Sequence, residues 1–275
     1  MHVDAYLARL DLTRPVAADL AALRVLQARH LERVPFENLS VHLGEPIELT
    51  EEALFDKIVN RRRGGFCYEL NGLFTALLRE LGYDATLRGA QVFGQDGTPG
   101  PPLDHAAIVV ELDEPWLVDV GFGRFSRAPL RLCAVAPQED RDGQFLILDA
   151  PYGDIDVLCD GKAVYRLEHR PRPLADFEPM AWWQSTSPSS HFTRSLTCSR
   201  PTSQGRVTLS GDRLIETVDG VRHEVLLPSE SAVRMAYRVY FGLELTRLPL
   251  PPGEHPLTTP VPGPTMNRPV NEPSP

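Results

Sequence analysis

Apolar residues in the first third of the chain recur at helical spacing, and beyond it they do not. Asp19 to Val34 carries Leu20, Leu23, Leu26 and Leu31, an amphipathic pattern that Pro35 ends. Pro35-Phe36-Glu37-Asn38-Leu39 follows as a short mixed segment. Thr50 is a good N-cap, and Glu51 and Glu52 suit the first turn of the helix it opens. That helix sets Leu54 beside Ile58 and Phe55 beside Val59, then runs into Arg61-Arg62-Arg63, cations suited to the negative end of its dipole. Gly64 and Gly65 are expected to stop it. Leu70, Phe74, Leu77, Leu78 and Leu81 mark one face of the next helix, which Gly82 closes as a C′ residue.

After Gly82 the period becomes that of strands. Asp84 to Phe93 favours short strands, and the Gly/Pro-rich run from Gly94 to Pro102 is a loop. His105 to Leu112 and Trp116 to Val120 are β-branched-rich strands joined at Asp113-Glu114-Pro115. Residues 144–148, 157–159 and 163–167 read as further short strands, a spacing that suggests a barrel or small sandwich. A third region starts near Ser195, with strands at 206–209 and 213–216 and a helix from Ser231 to Phe241. From about Leu248 proline and polar residues dominate, and no fixed fold is expected there.

The 275-residue chain has a formal net charge of -9, so no basic field points to nucleic acid or to an anionic membrane. It lacks an N-terminal basic segment followed by an apolar run, and no stretch is apolar enough to span a bilayer, so a cytoplasmic protein is expected. Cys67, Cys133, Cys159 and Cys198 stand far apart with no CxxC pair, which argues against zinc and against a disulfide framework.

Cys67 alone has a neighbourhood that suggests chemistry. It opens the helix after Gly65, where unpaired N–H groups and the positive end of the dipole favour a thiolate. Such a nucleophile needs a base and an orienting group. Most histidines stand in helical or loop contexts beside charged residues, whereas His105 opens an apolar strand after a Gly/Pro loop. The next strand carries Asp119 between two valines, expensive to bury without hydrogen bonds. With a turn at 113–115, Leu112 pairs with Trp116. His105 and Asp119 then share a face but are offset by four positions, roughly 13 Å. A direct bond requires a shifted register, a bulge or a bend at His105. Otherwise Asp119 caps a turn near Gly121 and His105 is a strand-edge residue.

Arg63-Gly64-Gly65-Phe66-Cys67-Tyr68-Glu69-Leu70-Asn71 resembles the cysteine motif of the arylamine N-acetyltransferase family. The resemblance extends to Val34-Pro35-Phe36-Glu37-Asn38-Leu39, to Asp104-His105, to Val118-Asp119-Val120-Gly121-Phe122-Gly123 and to Ser187-Pro188-Ser189-Ser190-His191-Phe192, in order from about residue 5 to about 245. It implies an α+β fold with a cysteine-protease-like core: an N-terminal helical bundle (1–83), a central β-barrel (84–194) and a C-terminal α/β lid (195–247), followed by a proline-rich tail (248–275). It implies a triad of Cys67, His105 and Asp119, no bound cofactor, and ping-pong transfer of acetyl from the co-substrate acetyl-CoA to an arylamine, hydrazine or N-hydroxyarylamine. His105 would take the thiol proton, Asp119 would fix the ring, and the Cys67 N–H would face the oxyanion. Phe36, Phe66 and Phe122 are candidates for an aromatic lining that excludes water, Gly121 and Gly123 for close approach to the pyrophosphate, and Asp104 for the pocket mouth. Glu37 and Arg63 are expected to pair and fix the Cys67 turn, and His191 to be structural. The partners implied are small molecules, with neither nucleic acid nor membrane. An amide synthase of the same fold shares the triad, and a cysteine hydrolase and a non-enzymatic binding module are the other rivals. Oligomeric state is not readable.

Overall fold

The computed structural model describes residues 1–15 and 17–250, so the tail expected from residue 248 lies, from residue 251, outside the described residues. Helices α1 (Val3–Arg9), α2 (Leu20–Arg33), α3 (Leu39–Leu43), α4 (Glu51–Phe55) and α5 (Cys67–Glu80) build the first part, interrupted by the short strand β1 (Phe36–Glu37). Asp19 caps α2 by accepting the Ala22 N–H at 2.8 Å. Val34, preceding Pro35, is already extended at the other end. Thr50 caps α4 by accepting the Ala53 N–H at 3.3 Å. Every residue of α5 from Cys67 to Leu78 is buried, so this helix is the axis of the core rather than a surface element.

The segment before α5 differs from expectation. The helix begun by α4 widens into one π-helical turn, Asp56–Asn60, and it is Arg62, not a glycine, that takes the left-handed conformation (φ 54°) after it. Gly64 and Gly65 serve close packing instead. A Cβ on Gly64 would lie 1.9 Å from the Pro35 carbonyl oxygen, and one on Gly65 would lie 2.7 Å from the Glu69 carboxylate. With no side chain in the way, Gly65 bonds β1, its carbonyl accepting the Glu37 N–H at 2.9 Å.

Strands β2 (Asp84–Val92), β3 (His105–Glu111), β4 (Pro115–Val118), β5 (Leu130–Arg131), β6 (Gln138–Asp140), β7 (Gly143–Asp149), β8 (Ile155–Cys159) and β9 (Lys162–Pro171) form an antiparallel sheet in the order β5-β4-β3-β2-β9-β8-β7-β6. The sheet is a nearly closed barrel, and one side chain bridges its edges. The Gln138 amide on β6 accepts the Arg131 N–H at 2.8 Å and donates to the Arg131 carbonyl at 3.0 Å on β5. A single long β2 replaces the short strands expected over 84–93.

Helices α6 (Glu178–Thr186) and α7 (His191–Arg194) lead to strands β10 (Cys198–Thr202), β11 (Gly205–Ser210), β12 (Arg213–Val218) and β13 (Val221–Leu226), then to α8 (Glu230–Ala236) and a π-helical turn, Tyr237–Phe241. These strands form a second sheet, β1-β10-β11-β12-β13, in which Phe36 pairs with Ser199 and Glu37 with Cys198. The segment 36–37 thus stitches the N-terminal helices to the C-terminal sheet. Among the described residues no helix is long and apolar enough to cross a membrane.

Gly64→Ala is expected to cost about 3 kcal/mol or more, since the obstructing atom is backbone and cannot swing aside. Thermal unfolding followed by circular dichroism measures it, and a wild-type midpoint would contradict the packing role.

Candidate active site

Cys67 occupies the first position of α5 and is 3% exposed. The turn that delivers it is held by two buried ion pairs. Arg63 Nε donates to Glu37 Oε1 at 2.9 Å, and the same oxygen accepts the Gly64 N–H at 3.3 Å. The other Glu37 oxygen accepts the Leu39 N–H at 2.6 Å. Burial works to raise the Glu37 carboxyl, but Arg63, with Lys57 and the Leu39 amide adding to it, holds it below the usual carboxylate range. In the second pair Lys57 Nζ meets Glu69 Oε1 at 2.6 Å, while Glu69 Oε2 accepts the Phe66 N–H at 3.2 Å. Glu69 therefore caps the helix immediately before the cysteine.

His105 begins β3 and Asp119 follows the end of β4, both almost fully buried. The hairpin register is not the expected one. Val110 pairs with Trp116 and Ile108 with Val118, which places Asp119 two positions from His105 rather than four. The pair remains on one face, now at diagonal-neighbour range, which side chains can bridge. His105 Nε2 donates to Asp119 Oδ2 at 2.7 Å. The second carboxylate oxygen accepts from Asn71 Nδ2 and from the Gly121 N–H, each at 2.9 Å. Asn71 also donates to the Ala106 carbonyl at 2.6 Å and accepts the Val120 N–H at 2.9 Å. It sits one turn beyond Cys67 on α5, so the helix that carries Cys67 holds the barrel's carboxylate.

Burial pulls the His105 pKa down. The Asp119 charge and hydrogen bond outweigh it, Cys67 acts in the same direction by hydrogen bond and charge, and the ring is raised to about 10. The imidazole lies edge-on to Phe122 at 5.0 Å and 5.1 Å from the Tyr165 ring. Burial first, and then the Asp119 charge, raise the Tyr165 phenol well above its ordinary pKa.

The remaining candidates divide. Phe66 is 1% exposed and wedged between Tyr68 and Phe192, so it belongs to the core. Phe36 and Phe122 are half-buried. A Cβ on Gly121 would lie 2.7 Å from both Asn71 Nδ2 and Cys67 Cα, so that close approach is made by α5 itself. Gly123, in left-handed conformation, faces the Phe36 ring. Asp104 turns to the loop and accepts the Val92 N–H at 2.8 Å. Burial pushes its carboxyl up to about 6, against the pull of that N–H and of His105. His191 is exposed, and the structural duty expected of it falls to its neighbours. Ser190 Oγ donates to Gln184 at 2.7 Å, and Asn38 donates to the Phe192 carbonyl at 2.9 Å. Asn71 carried a readable signal, four positions after Cys67 on one helix face. Tyr165, Lys57 and Glu69 carried none. Among the described residues no cluster of three or more His, Cys, Asp or Glu side chains could hold a metal.

A family model described as N-acetyltransferase matches residues 19–249. An arylamine N-acetyltransferase from Mycolicibacterium smegmatis is 36% identical over 89% of this chain and 93% of its own length. One from Escherichia coli is 32% identical over 86% of this chain and 87% of its own. The solved M. smegmatis structure superposes with a TM-score of 0.82 at 34% identity, covering 89% of this chain and 93% of that one. The Mycobacterium marinum enzyme in complex with CoA superposes at 0.80 with 32% identity, over 88% and 92%.

Arg63→Gln leaves the Glu37 carboxylate buried beside a neutral partner and is expected to cost about 3–5 kcal/mol. Urea unfolding measures it, and normal stability would count against the pair. A histidine whose folded pKa stands above its unfolded value of about 6.5 contributes stability below that value and loses it as pH rises through the folded one. Between about pH 6 and about pH 10 the wild-type protein is therefore expected to lose unfolding free energy that Asp119→Asn does not lose.

Proposed function

The chain belongs to the arylamine N-acetyltransferase family and is an acyltransferase, and from that premise we propose a ping-pong reaction carried by Cys67, His105 and Asp119. The observation that carries it is the buried His105 ring, bonded to Asp119 at 2.7 Å and raised to about 10 chiefly by Asp119, with Cys67 acting in the same direction. His105 takes the thiol proton, and the raised pKa of its ring favours the imidazolium that must coexist with a thiolate. Asp119 keeps the ring oriented and stabilises its positive charge. Asn71 and the Gly121 amide keep Asp119 itself from turning.

The thiolate attacks the acetyl-CoA carbonyl, the C–S bond to CoA breaks, and CoA leaves with the proton from His105. The oxyanion between these events faces the Cys67 N–H, which has no intrahelical acceptor at the first helical position. The resulting thioester sits at a nearly buried sulfur, which keeps bulk water from hydrolysing it. An arylamine or hydrazine then attacks the same carbonyl, His105 accepts the amine proton, and the acyl C–S bond to Cys67 breaks, releasing the amide and restoring the thiolate beside the imidazolium. The half-buried rings of Phe36, beside Gly123, and of Phe122, against His105, supply faces and edges for an aromatic acceptor. A relative solved with CoA bound supports acetyl-CoA as donor. The predicted compartment is cytoplasmic.

Intact mass spectrometry after mixing the protein with acetyl-CoA alone is expected to show one added acetyl group on Cys67, released by p-anisidine or isoniazid. Cys67→Ser is expected to lose transfer while unfolding at the wild-type midpoint. Acid formed as fast without amine as with it would instead indicate a hydrolase.

A further inference from the structure

A cavity of about 600 Å³ lies between α6 and the segment 44–50 that joins α3 to α4, and none of Cys67, His105 and Asp119 lines it. Its α6 wall is Glu178, Ala181, Trp182, Ser185 and Thr186, one helical face at spacings of three and four. Pro46, Ile47 and Leu49 supply the apolar part of the other wall. Trp182 is 68% exposed there, leaving most of a large apolar ring in water. The Ser185 and Thr186 hydroxyls are spent on their own helix, donating to the Ala181 and Trp182 carbonyls at 2.8 and 2.7 Å. The groove thus offers a ring face, one indole N–H and apolar side chains, with the Glu45, Glu48 and Glu178 carboxylates beside them.

The last described residue, Leu250, stands at the groove's edge. Its N–H donates to the His42 carbonyl at 3.0 Å, and the Arg247 guanidinium bonds the Leu43 carbonyl. Val41 and Gly44, on either side of that pair, line the groove. The 25 residues that follow hold nine prolines, six of them by Pro264. Proline fixes φ near the polyproline II value, so a stretch rich in it carries pyrrolidine rings and free carbonyls but few N–H groups. Aromatic-lined grooves recognise such a ligand: a proline ring packs on the indole face, and a carbonyl accepts the indole N–H. The α6 face from Glu178 to Thr186 is about 12 Å long, roughly the length of four residues of polyproline II.

We propose that the groove between α6 and residues 44–50 takes up this chain's own residues 251–264, with Trp182 as the ring on which a proline packs. A tethered segment meets the groove at an effective concentration on the order of millimolar. A second copy would instead bring a net charge of -9 against three carboxylates. Glu45 lines the groove and also accepts from Arg63 Nη1 at 3.1 Å, with its side chain 31% exposed. A docked segment therefore takes water away from an ion pair that bears on the Cys67 turn.

Hydroxyl-radical footprinting of the full chain, read by mass spectrometry, tests it, with the 98% exposed Tyr152 as internal reference. The oxidation rate of Trp182 relative to Tyr152 is expected to be about fivefold lower in the wild type than in Pro256→Ser/Pro260→Ser/Pro262→Ser/Pro264→Ser. Those four positions lie outside the described residues, so the variant leaves the packed core untouched. Reciprocally, Leu257 is expected to be oxidised faster in Trp182→Ala than in the wild type, by a similar factor. Equal Trp182 ratios in the wild type and the proline variant would overturn the proposal. Equal ratios that both rise on dilution would overturn it in favour of a second copy as the occupant. Neither readout depends on acyl transfer, so failure of that reading would leave this one standing.

Discussion

A carboxylate cut off from water holds this active site together. Asp119 is 1% exposed, and an unsatisfied carboxylate at that depth would be strongly destabilising. One of its oxygens takes the His105 N–H, and the other takes the Asn71 amide and the Gly121 N–H. These donors come from the barrel, from α5 and from the loop after β4. The helix of Cys67 and the strand of His105 are therefore fixed to each other through one residue. Removing any donor leaves an oxygen under-solvated as well as a ring or a loop loose.

The rest of the packing serves the same junction. Gly121 lets the loop after β4 lie against Cys67, and Gly64 and Gly65 let the preceding turn lie against Pro35 and Glu69. Phe36-Glu37-Asn38 meets all the parts at once: Glu37 bonds the Cys67 turn, Phe36 pairs with β10, and Asn38 holds the stretch leading from α7. Each of these contacts joins residues far apart in sequence, so the site exists only when the whole chain is assembled. Catalytic geometry and stability are accordingly hard to separate by mutation in this region.

What the sequence discloses follows from how local each cause is. The cap at Thr50, the apolar face of α5 and the turn residue Gly82 are set by neighbours within a few positions, and the structure carries them as read. The oddity of Asp119 between valines was legible because burying a carboxylate demands partners wherever it falls. The hairpin register was not, since shifting the turn by one residue moves the pairing by two without changing faces. Nor was the use of Gly64 and Gly65: a glycine needed for close approach reads like one needed for a left-handed turn until the opposing atoms are known. β10 and β13 escaped because the first pairs with a distant two-residue strand and the second is exposed along its length.

Sulfur, ring and carboxylate come from elements with different mechanical character. The sulfur sits on the first turn of a helix, which would ordinarily fray, and here Glu69 caps that turn from within the core while Lys57 neutralises it. The ring sits at the first residue of a strand, which would ordinarily be a loose end, and here Asp119 and the flanking Phe122 and Tyr165 rings hold it. Each group thus stands at an element's end, and each end is stiffened by buried polar contacts that leave the sulfur and the ring unclaimed by backbone pairing. An acyl shuttle needs that combination: an attacking atom free to bond, on a scaffold that does not move when it does.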